Sequence, residues 1–557
     1  MRIGEYKMKD MYDVDRLKSF RQLIDLSAKK YSSRAAFLLR DGEGYRKITY
    51  KELRQRFYNL CGYFISQGLK GKYIAVVGHN CFQWALSYLA AASVGIVVPL
   101  DKELSVEDID NFMQYAKVDA VCGDEKIISG IAFETTNTYK SYSFDMIDRE
   151  YSLIPCDCEK EIQQIEISKD EMNVLIFTSG TTGSAKGVCL SQNNLLADIQ
   201  YTLSMVNIKK SDVTLSILPL HHTYECTLNC ILMLSRGSCI TYADSLLKVT
   251  KNITEYSPSI LVVVPALLKM MDKKICQSVK EKCPVKYKHL FEKYTFAETI
   301  GKLPKLIRWA ISSKVQASLG GKVRLFIVGA ADLDPAIVEN FGALGMKVLQ
   351  GYGLTECSPL LAGNSDFYFN AKSTGRAIPG VSLKIDNPND EGVGEILAKG
   401  DNIMLGYFKD QEATEKVFEG GWFHTGDLGR MDPDGALYIT GRSKNVIVTE
   451  NGKNIYPEEL EAKLYNFPEV EDALVVATQD RGKTEVKAKI FPNLDAIKKQ
   501  LGRVPSWSEV KMHIGLIIND INEKMPGYKH ISNYEVLECA LEKTTTRKIK
   551  RFGNNVN

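Results

Sequence analysis

The sequence lacks the features that mark several large classes of protein. Its thirteen cysteines include no paired C-x-x-C motifs at zinc-site spacing, and Cys156 with Cys158 is among the nearest approaches. A net charge of +3 over 557 residues gives no reason to expect a nucleic acid as partner. The longest apolar runs, such as residues 74–77 and 95–100, are far shorter than the roughly 20 residues that span a membrane. These absences exclude a zinc-finger protein and an integral membrane protein.

The first residues and the many unpaired thiols indicate a compartment. Met1 to Gly4 do not begin a secretory signal, and scattered cysteines suit a reducing environment better than a disulfide framework. We therefore expect a cytoplasmic protein with no integral membrane segment, and peripheral membrane contact stays open. A chain of this length needs at least two domains.

The order of apolar patterns predicts an α/β protein. Helical periodicity and short β-rich runs alternate at residues 20–31, 50–68, 73–77, 82–92 and 95–99, and further β-rich runs follow at 217–219, 238–242, 260–264 and 323–328. Most are separated by enough chain for parallel crossovers, which predicts two wound parallel sheets. A lysine-rich helical insertion covers residues 269–320, and dense glycines predict a β-rich subdomain over 375–431. After Arg442 the pattern changes to a small α+β domain.

The stretch TSGTTGSAKG, residues 178–187, has the composition of a phosphate-binding loop. It follows the apolar run 174–177 and combines hydroxyls, three glycines and Lys186. Glycines let backbone N–H groups face an anion, and the lysine supplies a positive charge. The P-loop pattern does not fit, because Ala185 and Gly187 flank the lysine. A flexible linker of small polar residues is the alternative.

Four further stretches carry residue types that protein cores avoid. They are LPLHHTY at 218–224, QGYGLTE at 350–356, GWFHTGD at 421–427 and YITGRSK at 438–444. Together with the loop at 178–187 and the C-terminal tail, in this order, they resemble the adenylate-forming superfamily of acyl-CoA synthetases, peptide-synthetase adenylation domains and beetle luciferases. The stretches 328–335 and 348–356 most resemble bacterial long-chain acyl-CoA synthetases.

The resemblance implies a site for ATP and Mg²⁺. The residues that it implies for ATP are Thr178, Ser179, Gly180, Thr181, Thr182, Gly183, Lys186, Ala330, Tyr352, Gly353, Asp427 and Arg442. Within that set, Tyr352 would face adenine, and Asp427, assisted by Arg442, would accept both ribose hydroxyls. Thr355 would bond the α-phosphate, while Glu356, with Thr178 as second ligand, would hold magnesium.

Two catalytic positions are also implied by the resemblance. His222 matches the aromatic residue at the mouth of the acyl pocket, although a core histidine is the ordinary interpretation. The tail at 543–551 matches the final motif of the family and aligns its catalytic lysine with Lys548. Glu542 and Arg547 replace the proline and glycine of that motif, which puts the geometry of the loop in question. A disordered basic tail is the alternative.

The same resemblance predicts the domain arrangement. A large N-terminal domain of two wound sheets with a β-rich subdomain would cover residues 1–443, and a small mobile α+β domain would cover 444–557. The hinge would lie at Lys444, where a few residues can absorb the change in φ and ψ. Rotation would withdraw Lys548 after adenylation and present Gly452 to the arm of the thiol.

The expected reaction joins a carboxylic acid to a thiol. The resemblance favours a medium- or long-chain fatty acid, because residues 223–226 lack the aspartate with which amino-acid-activating relatives pair the ammonium group of their substrate. Coenzyme A is the expected acceptor, with acyl carrier protein as the alternative. A binding protein that has lost catalysis, and a P-loop NTPase that releases ADP rather than AMP, are the competing hypotheses.

Overall fold

The chain divides into two compact units. The computed structural model describes residues 11–134, 138–178, 186–448, 453–480, 483–543 and 549–551. One unit comprises Met1–Leu383, Ala398–Phe423 and Pro433–Ala436; the other comprises Lys384–Leu397, His424–Asp432 and Leu437–Asn557. This division assigns short segments before Lys444 to the second unit, and the predicted boundary and hinge at Lys444 stay predictions.

Two large sheets form the first unit. The strands of the first sheet, in spatial order, are Arg376–Ala377, Leu360–Gly363, Lys347–Gly353, Leu325–Val328, Ile260–Val263, Val213–Ser216, Cys239–Tyr242, Ala35–Asp41 and Gly44–Thr49. Its central pairs are parallel, and antiparallel pairs lie only at its two edges. The central strands are almost entirely buried and read as continuous apolar runs, as parallel strands covered on both faces do.

The second sheet of this unit carries the glycine-rich stretch. Its strands, in spatial order, are Gly406–Tyr407, Lys186–Leu190, Val174–Thr178, Ile96–Leu100, Tyr73–Val77, Ala120–Gly123 and Lys140–Ser143. The pairs from Val174–Thr178 onward are parallel, whereas Lys186–Leu190 runs antiparallel to both of its neighbours. The sheet therefore reverses direction where the candidate phosphate loop begins.

Helices cover the sheets of the first unit. The longer ones are Phe20–Tyr31, Tyr50–Ser66, Phe82–Val94, Val106–Ala116, Glu125–Glu134, Gln192–Met205, Val249–Tyr256, Pro265–Lys282, Phe296–Lys302, Lys305–Ser318 and Pro335–Ala343. The shorter helical segments are Phe144–Met146, Ile147–Tyr151, Glu159–Gln164, Thr223–Glu225, Cys226–Ile231, Leu232–Ser235, Leu246–Lys248, Val285–Lys288, Leu290–Lys293, Thr355–Cys357 and Gln411–Val417. Side-chain caps start several of them; the Ser191 hydroxyl, for example, accepts from the backbone N–H of Asn194.

The second unit has its own apolar core. Strands Val470–Asp480, Lys483–Pro492 and Asn533–Val536 form one sheet, and Ile447–Val448 pairs with Asn454–Ile455. Most residues of strands Ser382–Asp386, Gly394–Lys399, Trp422–Met431 and Leu437–Arg442 also fall in this unit. The helical segments are Ser443–Asn445, Pro457–Leu464, Leu494–Leu501, Trp507–Glu523 and Gly527–Lys529.

The α/β class with a large N-terminal and a small C-terminal part is confirmed. Strand Tyr73–Val77 and helix Phe20–Tyr31 have the predicted limits. The predicted strand at 217–219 is wrong, because the strand there is Val213–Ser216 and ends before the proline. None of the described helices combines the length and the apolar composition needed to cross a membrane.

A buried carboxylate joins the starts of three neighbouring parallel strands in the first sheet. The side chain of Asp212 is 4% exposed and pairs with Arg324, whose Nε donates to Asp212 Oδ1 at 3.0 Å. The Lys209 N–H and the Ser259 hydroxyl also donate to this carboxylate, each at 2.7 Å. Burial alone raises the pKa of Asp212, but these hydrogen bonds outweigh it and leave the pKa below its ordinary value.

We expect Asp212→Asn to lower the free energy of unfolding by about 2 kcal/mol at pH 7, because the Arg324 guanidinium loses its charged partner. Because the pKa of Asp212 is lower in the folded than in the unfolded protein, its interactions contribute fully to stability above the ordinary carboxyl pKa of about 4. This contribution is lost as the pH falls through the pKa of Asp212 in the folded protein. Urea unfolding should therefore show a smaller difference from the wild type at pH 3 than at pH 7. Asp145, which forms an exposed ion pair with Arg149, is the control. Asp145→Asn should change stability by less than about 0.5 kcal/mol. An equal loss for both variants would contradict the assignment.

Candidate functional site

The candidate phosphate loop is bracketed by a β-hairpin, which we call the phosphate hairpin. Strands Val174–Thr178 and Lys186–Leu190 pair so that Thr178 faces Lys186, and the Thr178 hydroxyl donates to the Lys186 carbonyl at 3.4 Å. The composition of residues 178–187 predicts a loop throughout, but Thr178, Lys186 and Gly187 are strand residues. The predicted contacts Ser179, Gly180, Thr181, Thr182 and Gly183 lie outside the described residues.

Tyr407 connects this hairpin to the predicted magnesium ligand. It pairs with Val188 on strand Lys186–Leu190. The Lys186 ammonium lies 4.3 Å from the centre of the Tyr407 ring, and the Tyr407 hydroxyl donates to Glu356 Oε1 at 3.1 Å. The ring therefore stands between a cation and a carboxylate. The sequence does not point to Tyr407, because a lone tyrosine after a glycine carries no motif signal.

Thr355 and Glu356 lie on a single helical turn, Thr355–Cys357, just after strand Lys347–Gly353. This turn packs against strand Lys186–Leu190, and the Glu356 carbonyl accepts from the Met404 N–H at 2.8 Å. The structure thus brings the two predicted residues to the phosphate hairpin.

The available donors suit magnesium bound together with phosphates. Magnesium in nucleotide sites takes one or two carboxylates and completes its shell with phosphate oxygens and water. Glu356 provides a carboxylate beside the phosphate hairpin, and Thr178 provides a hydroxyl on it. Over the part of the chain that the structure describes, no group of three or more His, Cys, Asp or Glu side chains is arranged to hold a metal. The residues fit an ion that arrives with a nucleotide.

Two buried side chains hold the segment after Glu356. Asp198 Oδ1 accepts from the Leu360 N–H at 3.2 Å. The Asn402 amide donates to the carbonyls of Cys357 at 3.1 Å and Leu360 at 2.7 Å. Asp198 and Asn402 are fully buried, and burial raises the pKa of Asp198 well above its ordinary value. The site-bearing turn is therefore tied at its C-terminal side by polar groups that cannot relax into solvent.

Packing within the protein itself requires glycine at position 353. A Cβ atom on Gly353 would lie 1.9 Å from the Pro359 carbonyl oxygen, so the chain returns too closely for any side chain. The family resemblance implies Gly353 as an ATP contact, and the close neighbour within the protein is Pro359. Tyr352, beside it, is a mostly buried strand residue opposite Ala362; its contact with adenine stays a prediction.

Ala330 has a strained backbone next to an apolar cluster. Its φ is +77°, in the left-handed region that alanine rarely adopts. Ala330 packs with Tyr224 and Ile327 against a buried group, and the members of that group are Leu218, Val262 and Val264. Val262 and Val264 lie in or just after strand Ile260–Val263, and Ala330 follows strand Leu325–Val328.

Tyr224 closes one side of this cluster and was also missed from the sequence. Its hydroxyl lies 3.2 Å from the Val263 carbonyl and 3.0 Å from the Ile327 carbonyl, on two adjacent parallel strands. The ring lies against Gly329, where a Cβ would be in ordinary contact with it. Tyr224 therefore occupies space at the carboxyl ends of these strands, where ligands of open α/β sheets bind.

The two adjacent histidines differ in their surroundings. His222 precedes the short helix Thr223–Glu225 and is partly exposed, with its ring centre 4.2 Å from that of His221. Burial, with the charge of Lys102, lowers the pKa of His221 to about 3. His221 is thus neutral at pH 7, and its 3.6 Å approach to Asp101 is a polar contact rather than an ion pair. The gate role of His222 stays a prediction.

The predicted ribose acceptor lies in the second unit. Asp427 and Arg442 face each other on paired strands, with Arg442 Nε 2.9 Å from Asp427 Oδ1. Asp427 is buried and Arg442 is exposed. The Thr425 hydroxyl accepts from the Asp427 N–H and donates to the Ile396 carbonyl, which fixes the strand at this point. Their roles toward ATP stay predictions.

The C-terminal motif of the second unit is anchored on both sides of its predicted lysine. Lys543 forms an ion pair with the buried Asp472 at 2.6 Å, and Arg551 binds both carboxylate oxygens of Glu461 at 2.7 and 2.8 Å. An antiparallel bridge joins Lys543 to Ile549. Asp472 is buried and Glu461 is partly buried, and such partners disfavour a loose basic tail.

Three further predicted residues belong to the second unit. Lys548 and Gly452 lie outside the described residues. Lys444 is exposed on the short helix Ser443–Asn445.

Comparison with known proteins gives a family and several relatives. The profile of a family described as "AMP-binding enzyme" matches residues 24–408. Long-chain-fatty-acid–CoA ligase 5 of Mus musculus is 28% identical over 460 residues, which is 75% of this chain and 67% of that protein. Long-chain-fatty-acid–CoA ligase heimdall of Drosophila melanogaster is 26% identical over 530 residues, 85% of this chain and 78% of that protein.

Solved structures share the fold at lower identity. O-succinylbenzoate coenzyme A synthetase from Bacillus subtilis, in complex with ATP and magnesium ion, has a TM-score of 0.72 and 21% identity, over 95% of this chain and 98% of that one. A Mycobacterium tuberculosis fatty acyl CoA synthetase has a TM-score of 0.64 and 21% identity, over 96% and 97%. These likenesses establish the architecture.

We expect Tyr407→Phe to weaken the binding of ATP about tenfold when magnesium is present and to change it little in its absence. The variant keeps the ring against Lys186 but removes the hydroxyl that orients Glu356. Tyr407→Leu also removes the cation–π contact and should weaken ATP binding under both conditions. Isothermal titration calorimetry with ATP, with and without magnesium, separates the two effects.

The control for this experiment is a neighbouring hydroxyl. Tyr115 donates to the Phe408 carbonyl at 3.2 Å, away from Glu356, so Tyr115→Phe should leave both affinities unchanged. If Tyr407→Phe binds Mg·ATP as tightly as the wild type, Tyr407 does not position Glu356.

Proposed function

Because this chain belongs to the AMP-binding enzyme family, we propose that it activates a medium- or long-chain fatty acid with ATP and transfers the acyl group to coenzyme A. AMP and pyrophosphate would be the other products. The relatives named for long-chain-fatty-acid–CoA ligase activity support this choice of substrate and acceptor.

The arrangement around Tyr407 is the observation that carries the proposal. At one end of the phosphate hairpin, Lys186 lies against the tyrosine ring and Glu356 accepts the tyrosine hydroxyl. A cation and a carboxylate separated by an aromatic ring do not neutralise each other directly. One can then serve the phosphates of ATP and the other the ion that accompanies them.

The first half-reaction must bring two anions together. A carboxylate oxygen of the fatty acid attacks the α-phosphorus of ATP, the bond from that phosphorus to the bridging oxygen breaks, and pyrophosphate leaves. Like charges at contact distance oppose this approach by several kcal/mol in a site of reduced dielectric, where an effective constant near 20 applies. Lys186 on the hairpin and Lys548 on the C-terminal loop are the cations that we assign to offset it.

The remaining ATP contacts follow the same assignment. Glu356 and Thr178 would hold magnesium, which when bound neutralises part of the phosphate charge. Thr355 would donate its hydroxyl to the α-phosphate. Asp427, kept in place by Arg442 and Thr425, would accept the ribose hydroxyls with its two oxygens.

The second half-reaction needs a thiol and a place for the acyl chain. The thiol sulfur attacks the acyl carbon, the bond to the AMP oxygen breaks, and the thioester forms as AMP leaves. The apolar cluster beside Tyr224 and Ala330 suits a hydrocarbon chain, and His222, two residues before Tyr224, is the assigned gate. In this proposal the hinge lies at Lys444, and Gly452 contacts the arm of the thiol.

Lys548→Ala tests the assignment of the catalytic lysine. We expect a loss of about 100-fold or more in acid-dependent pyrophosphate release, because a preorganised cation is removed from the adenylation step. Thiolysis of supplied acyl-adenylate by coenzyme A should persist. Lys550→Ala is the matched control, since it removes an equal charge two residues away on an exposed side chain. Equal loss of both half-reactions in Lys548→Ala would overturn the role.

A substrate panel tests the function itself. We expect pyrophosphate release with Mg·ATP and long-chain acids to exceed that with short-chain, aromatic or amino acids, and to accelerate when coenzyme A is added. AMP, rather than ADP, should accumulate in equal amount. Slow pyrophosphate release that coenzyme A does not change, and that phosphopantetheinylated acyl carrier protein accelerates, would identify acyl carrier protein as the acceptor. No pyrophosphate release with any acid of the panel would overturn the proposed function.

A further inference from the structure

Positive charge is concentrated in one segment of the first unit. Residues 265–318 contain twelve Lys or Arg and four Asp or Glu, a net charge of +8 in a chain whose total is only +3. The rest of the chain is therefore net negative. Most of these lysines are exposed, so the segment presents a basic surface on an otherwise acidic protein.

The last helix of this segment, Lys305–Ser318, has two opposite apolar sides. Ile307, Ile311 and Val315, four residues apart, pack against the core of the first unit. Leu306 and Trp309 are 81% and 70% exposed. Residues three apart share a helix face, so these two large apolar side chains project together, away from the core.

Basic residues are close in sequence to this exposed pair. Lys305 and Arg308 are each adjacent in sequence to one of the two apolar residues, and Lys302 ends the preceding helix, Phe296–Lys302. We call the five residues Lys302, Lys305, Leu306, Arg308 and Trp309 the Trp309 surface. Its composition combines apolar side chains that water solvates poorly with charges of one sign.

We propose that the Trp309 surface docks this protein on anionic lipid bilayers. Tryptophan favours the boundary between lipid headgroups and acyl chains, and lysine and arginine favour anionic headgroups. An amphipathic helix with leucine and tryptophan between basic residues lies in that boundary without crossing the bilayer. The charge of the segment selects an anionic surface over a neutral one.

An acidic protein is the other class of partner that a basic surface could take. The exposure of two large apolar side chains favours the lipid interface over an acidic protein. A bilayer can bury them by deforming, whereas a protein partner would need a pocket that matches them. Docking does not depend on the proposed ligase reaction. It would, however, place a fatty acid ligase where long-chain acids partition.

Vesicle cosedimentation of the full chain tests the proposal. We expect binding to vesicles of phosphatidylcholine and phosphatidylserine at about 2:1, weaker binding as salt is raised, and little binding to phosphatidylcholine alone. Leu306→Ser with Trp309→Ser should lower the partition coefficient about tenfold or more. Lys305→Glu with Arg308→Glu should remove the preference for phosphatidylserine.

A matched pair elsewhere provides the control. Met512 and Leu516 lie four apart on helix Trp507–Glu523 and are 63% and 60% exposed, but the charged residues of that helix are mainly acidic. Met512→Ser with Leu516→Ser should leave binding unchanged. Circular dichroism verifies that each variant is folded.

Three results would overturn the proposal: no binding of the wild type to either vesicle, unchanged binding of the Leu306 and Trp309 double variant, or equal loss in the control pair. Capture of an acidic protein such as acyl carrier protein, without vesicle binding, would assign the surface to a protein instead. Tryptophan fluorescence gives an independent readout, since emission should shift to shorter wavelength on vesicles and the shift should vanish in Trp309→Ser.

Discussion

The antiparallel pairing of Val174–Thr178 with Lys186–Leu190 is the constraint on which the candidate site depends. The pairing stops the parallel sheet from continuing and sets Thr178 opposite Lys186. Because Lys186–Leu190 also pairs with Gly406–Tyr407, its backbone hydrogen bonds deliver Tyr407 to the same place. Tyr407, more than two hundred residues after Lys186 in the sequence, thereby reaches both Lys186 and Glu356. Without this reversal of strand direction the charged groups would have no common support.

Backbone pairing recurs wherever the family resemblance assigns a loop a catalytic task. Val448 pairs with Asn454 around the stretch that contains Gly452, and Lys543 bridges Ile549 around the stretch that contains Lys548. Antiparallel neighbours satisfy each other's N–H and C=O groups up to the ends of each intervening stretch, so the residues of that stretch can be chosen for chemistry. The ion pairs of Lys543 with Asp472 and Arg551 with Glu461 add a second fastening in the C-terminal case.

Periodic apolar segments were well predicted from the sequence, and irregular ones were not. Strand Tyr73–Val77 and helix Phe20–Tyr31 have clear patterns and the expected limits. Lys186 and Gly187, the first two residues of strand Lys186–Leu190, end a run of small polar residues whose composition predicts a loop. They are extended because of their partner strand and not because of their own composition. The run at 217–219 is apolar but contains Pro219, which lacks the N–H that a central strand needs.

The sequence alone determined the α/β class and the order of the motifs, because these depend on local composition and spacing. The residues expected to bind phosphate, ribose and magnesium came from the family resemblance that those motifs carry. Only the tertiary structure decided that Tyr407 links Lys186 to Glu356, that Asp198 and Asn402 fasten the turn after Glu356, and that Gly353 makes room for Pro359. Those contacts join residues far apart in the chain. Their geometry depends on sheet order and close packing, which no single stretch of sequence encodes.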